Sequence, residues 1–267
     1  MTPSEITELL TRHGVRPSKA LGQNFLADEN TARRIVRLAE LQPGDRVVEV
    51  GPGIGSLTVA LAETGAHVCA VELDRHLVPI LDEVVAGRDV EVINDDALRV
   101  DWGALLDPAH AWSMVANLPY NVATSVVIRA LETAPMIKGF LVMVQREVGE
   151  RIAAGVGDDA FGAVSVKVAY YATAKVLGTV SPNVFIPKPK VESALVRLVR
   201  HAAPPVQVAD VDRMFDLVRA GFATRRKTLR NTLDGRIDAA QFASTHVDPQ
   251  ARAETLSLAD WARLADA

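Results

Sequence analysis

The chain has 267 residues, of which 49% are hydrophobic and 23% are charged, and its formal net charge is −4. A chain of this length and composition can bury a full hydrophobic core, and we expect one large domain with a smaller appendage. The single cysteine, Cys69, excludes an intrachain disulfide, and the sequence has neither a secretory signal nor an apolar run of membrane-spanning length. We therefore expect a protein of the cytoplasm.

Two helices are predicted at the start of the chain. Thr2-Pro3-Ser4-Glu5 has the pattern of a capping box and predicts the start of the first helix. Asp28 predicts the cap of a second helix, which carries apolar residues between Ile35 and Leu38. The segment Gln23-Asn24-Phe25-Leu26 precedes that cap and is predicted to be a loop.

A glycine-rich turn follows the first predicted strand. Val47-Val48-Glu49-Val50 is typical of a buried strand, Gly51-Pro52-Gly53-Ile54-Gly55 of a tight turn, and Ser56 begins a predicted helix. Glycines let the backbone approach a ligand closely, and a helix N-terminus offers free N–H groups. The dinucleotide-binding fingerprint requires a glycine three positions after Gly53, where this chain has Ser56. A nicotinamide cofactor is therefore disfavoured.

Acidic residues follow the next two predicted strands. His67–Val71 leads into Glu72, about twenty residues after the glycine turn, where a carboxylate can accept both ribose hydroxyls of a nucleoside. Val90–Ile93 leads toward Asp96, whose carboxylate could accept an adenine amino group. Either carboxylate alone is more often a solvated loop residue. A fourth strand reaches Asn117 in the same order, and this succession of strand ends favours S-adenosylmethionine as the ligand.

The motif Asn117-Leu118-Pro119-Tyr120 is suited to methyl transfer onto an exocyclic amine. The Asn117 side-chain oxygen and the Leu118 carbonyl can each accept one amine hydrogen, which localises and directs the nitrogen lone pair. Pro119 biases Leu118 toward extended geometry, and Tyr120 offers a stacking face for an unpaired base. The alternative is an ordinary turn, in which Asn117 caps a helix beginning near Val122.

The predicted fold class is α/β. Alternating strands and helices from Arg46 to about Val144 predict a parallel, Rossmann-like sheet of the class I methyltransferase type, with helices on both faces. Two further strands, near Lys175 to Val180 and Ala194 to Val199, are expected to close the sheet as an antiparallel hairpin.

A small helical domain is predicted after the linker Ala202-Ala203-Pro204-Pro205. We expect a methyltransferase domain over residues 1–201 and a helical, RNA-binding domain over residues 206–267. Its first helix carries Met214, Phe215, Leu217 and Val218, and its last region carries Leu256, Leu258, Trp261 and Leu264.

Positive charge is concentrated in one part of this acidic chain. Ser181 to Arg236 contains 11 Lys and Arg against 5 Asp and Glu, a net charge of +6, which leaves −10 for the remainder. A short charge run is usually a solvated helix face. The density here favours phosphate contacts that position RNA without reading its sequence. Arg219 belongs to the same positive region, and the candidate RNA-binding residues are Lys188, Lys190, Arg225, Arg226, Lys227 and Arg230.

Five motifs together resemble the rRNA adenine N6-dimethyltransferases over most of the chain. They are Leu21–Leu26, Val48–Gly53, Val71–Asp74, Asn117–Tyr120 and Asn183–Ser193. The resemblance is closest to the branch that dimethylates two adjacent adenosines near the 3′ end of small-subunit rRNA during ribosome maturation. The long Pro-Lys-Pro-Lys segment and the extended tail favour that branch over the large-subunit branch associated with macrolide resistance.

The resemblance implies roles that the residues alone do not. Asn24 and Leu26 would line the cofactor pocket beside Gly51, Gly53, Glu72 and Asp96. Asn117 would touch both the cofactor and the target amine. Phe185 would be a second stacking residue, so that the target adenine lies between Tyr120 and Phe185, although an aromatic in a proline-rich connection is more often a loop anchor packed on the core.

Three alternatives remain open from the sequence. A large-subunit rRNA dimethyltransferase would share every pocket residue. A DNA adenine methyltransferase uses a similar Asn-Pro-Tyr motif but normally needs a larger target-recognition region than the roughly sixty residues after the linker. A ribosome assembly factor could bind immature small subunits, with methylation secondary. We expect a monomer, no metal, and no general base of unusual strength.

Overall fold

The computed structural model describes residues 1–18, 20–224 and 226–267, so Lys19 and Arg225 lie outside the described residues. The chain divides into two compact units. The first unit consists of Met1–Gly149 and Lys175–Arg200, and the second consists of Glu150–Ala174 and His201–Ala267.

The described residues form nine strands. They are β1 (Phe25–Leu26), β2 (Arg46–Val50), β3 (His67–Glu72), β4 (Val90–Asn94), β5 (Trp112–Asn117), β6 (Ile137–Gln145), β7 (Ala172–Val180), β8 (Phe185–Ile186) and β9 (Ser193–Arg200).

Twelve α-helices lie between and after these strands in the described part of the chain. They are α1 (Pro3–Arg12), α2 (Glu29–Ala39), α3 (Ser56–Ala62), α4 (Val78–Val85), α5 (Trp102–Leu105), α6 (Ala123–Thr133), α7 (Arg146–Ala153), α8 (Ala163–Tyr171), α9 (Val211–Phe222), α10 (Leu229–Thr232), α11 (Ala239–Thr245) and α12 (Leu258–Ala265). No helix in the described ranges is both long enough and apolar enough to cross a membrane.

Seven strands form one sheet in the order β4-β3-β2-β5-β6-β9-β7. Strands β2 to β6 pair in parallel, as predicted from the alternation of strands and helices. Strand β9 inserts between β6 and β7 and runs antiparallel to β6, with Gln145 opposite Ser193. The two short strands β1 and β8 form a separate antiparallel pair, in which Leu26 lies opposite Phe185.

The predicted helix caps are present. The Thr2 hydroxyl accepts the Glu5 amide and the Glu5 carboxylate accepts the Thr2 amide, which completes the capping box of α1. The Asp28 carboxylate accepts the Thr31 amide at the start of α2. These bonds satisfy amides that have no partner inside a helix, so both helices begin where the sequence predicts.

Both faces of the sheet are buried. On one face, Val47, Val68 and Val115 pack with Ile35 of α2 and Leu61 of α3. The alternate residues point to the opposite face, where Val48, Met114 and Val142 are each 0% exposed. Apolar runs without polar alternation are typical of parallel strands covered on both sides, which explains the predicted buried strands.

The second unit has its own core around Trp261, which is fully buried with Met214, Phe215 and Leu264. The predicted methyltransferase domain, residues 1–201, includes residues 150–174. In the structure, Phe161, Val166 and Tyr170 of that segment belong to the core of the second unit. A helical pattern of apolar residues does not indicate which core the helix packs against, because an amphipathic face can pack on the core of the first unit or of the second.

Candidate active site

One cavity of the first unit brings the predicted residues together. It lies where the carboxyl ends of β2, β3 and β5 and the loop after β4 meet the segment before α2. Its walls include every predicted catalytic and cofactor-binding residue except Phe185: Asn24, Leu26, Gly51, Gly53, Glu72, Asp96, Asn117, Leu118 and Tyr120.

The glycine turn is packed closely by two of the other motifs. A Cβ atom at Gly51 would lie 3.0 Å from Pro119 Cδ, and one at Gly53 would lie 2.9 Å from Phe25 Cδ1. Gly53 also has φ +60°, a conformation that disfavours side chains. The turn, the Asn-Leu-Pro-Tyr motif and the segment before α2 therefore depend on one another sterically.

Glu72 is held at the end of β3 by two backbone amides. The Gly53 amide donates to Glu72 Oε2 at 2.9 Å, and the Asp74 amide donates to Glu72 Oε1 at 2.8 Å. Burial raises the pKa of Glu72, and the amides of Asp74 and Gly53 partly offset that rise. A carboxylate oxygen can accept more than one hydrogen bond, so Glu72 keeps acceptor capacity for further donors.

Asp96 is fixed in a different way on the loop after β4. Its Oδ1 atom accepts the Leu98 amide at 2.9 Å, and its own amide donates to Asp95 Oδ1 at 2.7 Å. Among the described residues no donor pairs with Asp96 Oδ2. The side chain is half-buried and borders the cavity, so this oxygen is an available acceptor.

Asn117 is oriented by the segment before α2. Its Nδ2 atom donates to the Asn24 carbonyl oxygen at 3.1 Å, so its Oδ1 atom takes no part in that hydrogen bond. The amide of Leu118 donates to the Met143 carbonyl at 3.1 Å. Within the described ranges, no donor pairs with the Leu118 carbonyl. Two acceptors from adjacent residues thus border the same cavity.

The two predicted stacking residues differ in position. Tyr120 is half-buried and lines the cavity, and its phenol oxygen lies 2.6 Å from Ser193 Oγ. Burial raises the pKa of Tyr120, and the Ser193 hydroxyl acts in the opposite direction. Phe185 is 2% exposed in β8 and packs in the core with Leu26 and Leu195. In this conformation Phe185 offers no accessible face, because its ring is enclosed by the core.

Three hydrogen bonds tie the segment before α2 to the carboxyl end of β5 and to the loops that follow β3 and β5. Gln23 Nε2 donates to Asp74 Oδ2 at 2.8 Å, and Asn121 Nδ2 donates to the Ala20 carbonyl at 3.1 Å. The third tie is the bond from Asn117 to Asn24. The residue pattern predicts this segment only as a loop, and no local signal indicates these long-range bonds.

Glu49 is a cavity residue that sequence reasoning missed. It is 1% exposed in β2 and borders the cavity, and no described residue donates a hydrogen bond to its Oε2 atom. Burial raises the pKa of Glu49 to about 8, an effect that the nearby Thr58 hydroxyl reduces and the Glu72 carboxylate increases. A charged residue inside the apolar run Val47–Val50 is the signal that could have identified it.

The predicted RNA-contact residues that the structure describes are exposed cations, and they lie in both units. Lys188 and Lys190 lie on the loop between β8 and β9 of the first unit. Arg226, Lys227 and Arg230 are exposed in the second unit, where Arg219 forms an ion pair with Asp216. Arg225 lies outside the described residues.

The fold and this cavity define a Rossmann-like class I methyltransferase. The crystal structure of the 23S rRNA methyltransferase ErmE is similar with a TM-score of 0.69 and 28% identity, over 91% of this chain and 98% of that chain. The crystal structure of a dimethyladenosine transferase from Plasmodium falciparum is similar with a TM-score of 0.74 and 22% identity, over 90% of this chain and 95% of that chain, which shows a shared fold.

The sequence comparisons give the family. A model described as Ribosomal RNA adenine dimethylase matches residues 15–267. A protein of Thermobifida fusca (strain YX), named Ribosomal RNA small subunit methyltransferase A, is 47% identical over 100% of this chain and 95% of its own length. A protein of the same name from Bacillus mycoides (strain KBAB4) is 39% identical over 100% of this chain and 96% of its own. The chain belongs to the ribosomal RNA adenine dimethylase family.

Proposed function

We propose that this protein transfers methyl groups from S-adenosylmethionine to the N6 amines of two adjacent adenosines in the 3′-terminal hairpin loop of small-subunit rRNA. The observation that carries the proposal is the pair of acceptors, Asn117 Oδ1 and the Leu118 carbonyl, in a cavity that also contains two acidic nucleoside acceptors. The small-subunit substrate follows from the names of relatives that are 39% to 47% identical over the whole chain.

The cavity residues fit a nucleoside cofactor. Glu72 has acceptor capacity for the two ribose hydroxyls, and Asp96 Oδ2 is available to an adenine amino group. Leu73, an apolar side chain that is 54% exposed beside Glu72, borders the same cavity and offers a surface for a purine ring. Asn24, Leu26, Gly51 and Gly53 form the remaining predicted contacts.

S-adenosylmethionine supplies an electrophilic methyl group on a positively charged sulfur when it is bound. Glu49 lies on the wall of the cavity as a carboxyl without a donor to its Oε2 atom among the described residues, and its negative form would stabilise a cationic ligand. We assign Glu49 an electrostatic role in cofactor binding, because a buried carboxyl is stabilised in its charged form by a neighbouring positive charge.

The chain's own residues orient the target amine. Asn117 Oδ1 and the Leu118 carbonyl each accept one amine hydrogen, so the nitrogen lone pair is directed at the methyl group. Tyr120 provides the stacking face for the adenine ring. No strong base is needed, since the amine becomes acidic on methylation and its proton can pass to water. Phe185 would support this wall from the core, and a direct stacking role for it requires its ring to become exposed.

We assign the RNA contacts to Lys188 and Lys190 in the first unit and to Arg225, Arg226, Lys227 and Arg230 in the second. Cationic side chains bind phosphates and give a salt-dependent affinity without sequence readout. We propose an immature small ribosomal subunit as the partner, a monomeric enzyme and a cytoplasmic location.

A large-subunit enzyme is the second candidate, because the structure named 23S rRNA methyltransferase ErmE shares the fold over nearly its whole length. An assembly factor with secondary methylation is the third. The purified protein is incubated with S-adenosylmethionine and either unmethylated small subunits or large-subunit rRNA, and nucleosides are analysed by mass spectrometry. We expect dimethyladenosine from the small subunits alone. Dimethyladenosine from large-subunit RNA alone would instead favour the large-subunit enzyme. No dimethyladenosine from either RNA would favour the assembly factor.

A further inference from the structure

The phenol of Tyr120 is bonded to a residue far from it in the sequence. Tyr120 Oη and Ser193 Oγ are 2.6 Å apart, although 73 positions separate the two residues. Ser193 is 0% exposed, whereas Tyr120 is half-buried and borders the cavity. The hydrogen bond therefore connects a cavity wall to the interior of the unit.

Ser193 is itself held on a rigid element. It is the first residue of β9 and lies opposite Gln145 in the ladder between β9 and β6. The preceding residue, Glu192, accepts the Arg146 amide at its carbonyl (2.9 Å) and the Arg146 guanidinium at its carboxylate (3.1 Å). These contacts fix the backbone on both sides of Ser193, so its hydroxyl is a stationary anchor.

The backbone of Tyr120 belongs to neither a helix nor a strand. Tyr120 lies in the turn between β5 and α6, after Pro119 and before the helix begins at Ala123. A hydrogen bond at the far end of a phenol restricts χ1, which sets the direction of the ring. It affects χ2 only through the in-plane preference of the hydroxyl, because the oxygen lies on the χ2 axis. Ser193 thus engages the Tyr120 hydroxyl, while Tyr120 remains part of the cavity wall.

We infer that Ser193 is a positioning residue, which acts through the Tyr120 hydroxyl to hold the ring in the orientation that receives the target adenine. This inference rests on the proposed function. Ser193 ends the motif Asn183–Ser193, but the sequence predicted no role for it. The inference also connects the end of the segment that carries Lys188 and Lys190 to the proposed base site.

A double-mutant cycle in the small-subunit methylation assay tests the inference. The variants are Ser193→Ala, Tyr120→Phe and the double variant. Each single variant is expected to lower kcat by about five- to tenfold, the range for loss of one hydrogen bond that orders a side chain. The KM for S-adenosylmethionine is expected to stay at the wild-type value. The double variant is expected to match the single variants, because both remove the same bond.

Two results would overturn the inference: wild-type kcat in Ser193→Ala, or a double variant whose loss is the product of the single losses. Ser193→Cys replaces Ser193→Ala if the alanine variant does not fold, since it keeps a side-chain donor but forms a weaker hydrogen bond. Tyr170→Phe, which removes a buried phenol from the second unit, is the control for loss of a tyrosine hydroxyl and is expected to keep wild-type kcat.

Failure of the proposed function is recognised separately. If the wild-type protein methylates neither RNA, the proposed function fails. Crystal structures of the wild type and of Ser193→Ala then decide the inference. We expect one Tyr120 ring orientation in the wild type and a rotated or divided ring in the variant. An unchanged ring in Ser193→Ala would overturn the positioning role regardless of the reaction.

Discussion

The side chain of Asn117 and the main chain of Asn24 are joined by a hydrogen bond of 3.1 Å across 93 positions of sequence. A carbonyl oxygen only accepts hydrogen bonds, so the partner of Asn24 must be the amide nitrogen of Asn117. The oxygen of that amide therefore takes no part in this bond. The segment before α2 thus orients the acceptor that we propose for the target amine, and the motif Asn117–Tyr120 does not set its direction alone.

Asn117→Ala is expected to lower kcat for methyl transfer by about 10²- to 10³-fold, the range for loss of one oriented polar group at a reaction centre. Asn117→Asp should be equally inactive, because a carboxylate oxygen would oppose the Asn24 carbonyl. Steady-state kinetics on small subunits measures both. Asn30→Ala, an exposed change on α2, serves as the control. Transfer within a few fold of wild type in Asn117→Ala would remove this residue from the mechanism.

Gly53→Ala is expected to weaken binding of S-adenosylmethionine by at least tenfold, because the new Cβ would lie 2.9 Å from Phe25 Cδ1 and move the turn. Gly14→Ala is the matched control: Gly14 has φ +66°, close to the +60° of Gly53, but no atom within 4 Å of the added Cβ. Backbone strain of about 1–2 kcal/mol is then common to both variants. Isothermal titration calorimetry and thermal melting separate the two effects. Equal affinities would show that the contact with Phe25 is unimportant.

Glu49 should make the stability of the ligand-free protein depend on pH. Its folded pKa of about 8 lies above the ordinary value of 4.5, so the folded state retains a proton that the unfolded chain releases. Stability therefore falls as pH rises from 4.5 to 8, by at most about 1.4 kcal/mol per pH unit. Glu49→Gln removes this dependence. The Tm of Glu49→Gln minus the Tm of the wild type is expected to increase steadily between pH 5 and pH 8. A difference in Tm that stays constant over this range would contradict the raised pKa of Glu49.

The same residue predicts a proton release on cofactor binding. A cationic ligand favours the charged form of Glu49, so S-adenosylmethionine is expected to bind the wild type more tightly as pH rises toward 8. Calorimetry in buffers of different ionisation enthalpy measures the released proton. Glu49→Gln is expected to bind more weakly and to release none. An identical pH dependence in the two proteins would assign the proton to another group.

Phe185→Leu and Tyr120→Leu distinguish a core residue from a stacking residue. Phe185→Leu is expected to lower stability by about 1–1.5 kcal/mol, because a buried ring is replaced by a smaller side chain, while methyl transfer is retained. Tyr120→Leu is expected to lower transfer about ten- to a hundredfold through loss of base stacking, with little change in stability. Tm measures the change in stability, and kcat/KM measures the change in methyl transfer. A stable Phe185→Leu protein with the transfer defect of Tyr120→Leu would restore Phe185 as a second stacking residue.

Much of the fold could be predicted from local patterns. The strands β2 to β4, the caps Thr2 and Asp28 and the glycine turn all agree with the sequence prediction within one or two residues. Strand and helix periodicity, caps and turns depend on residues within about one turn of each other, so one sequence contains that information. The order of acidic and polar strand ends also indicated a shared edge, since parallel strands end on the same side of a sheet.

Other features depend on contacts between distant residues. The membership of residues 150–174 in the second unit, the enclosure of Phe185 and the bond from Tyr120 to Ser193 have no local signature. The burial of Glu49 and its raised pKa also have no local signature, because both depend on how completely other elements exclude water from β2.

The sequence by itself therefore determined the order of most strands and helices, the glycine turn and the chemical groups at each strand end. Tertiary structure decided which of those groups remain available. Hydrogen bonding and burial are properties of packed neighbours, and packing brings Asn24 to Asn117 and Ser193 to Tyr120 across 93 and 73 positions of chain. The physical reason is that a side chain's free acceptors, exposed face and pKa are fixed by what surrounds it in space.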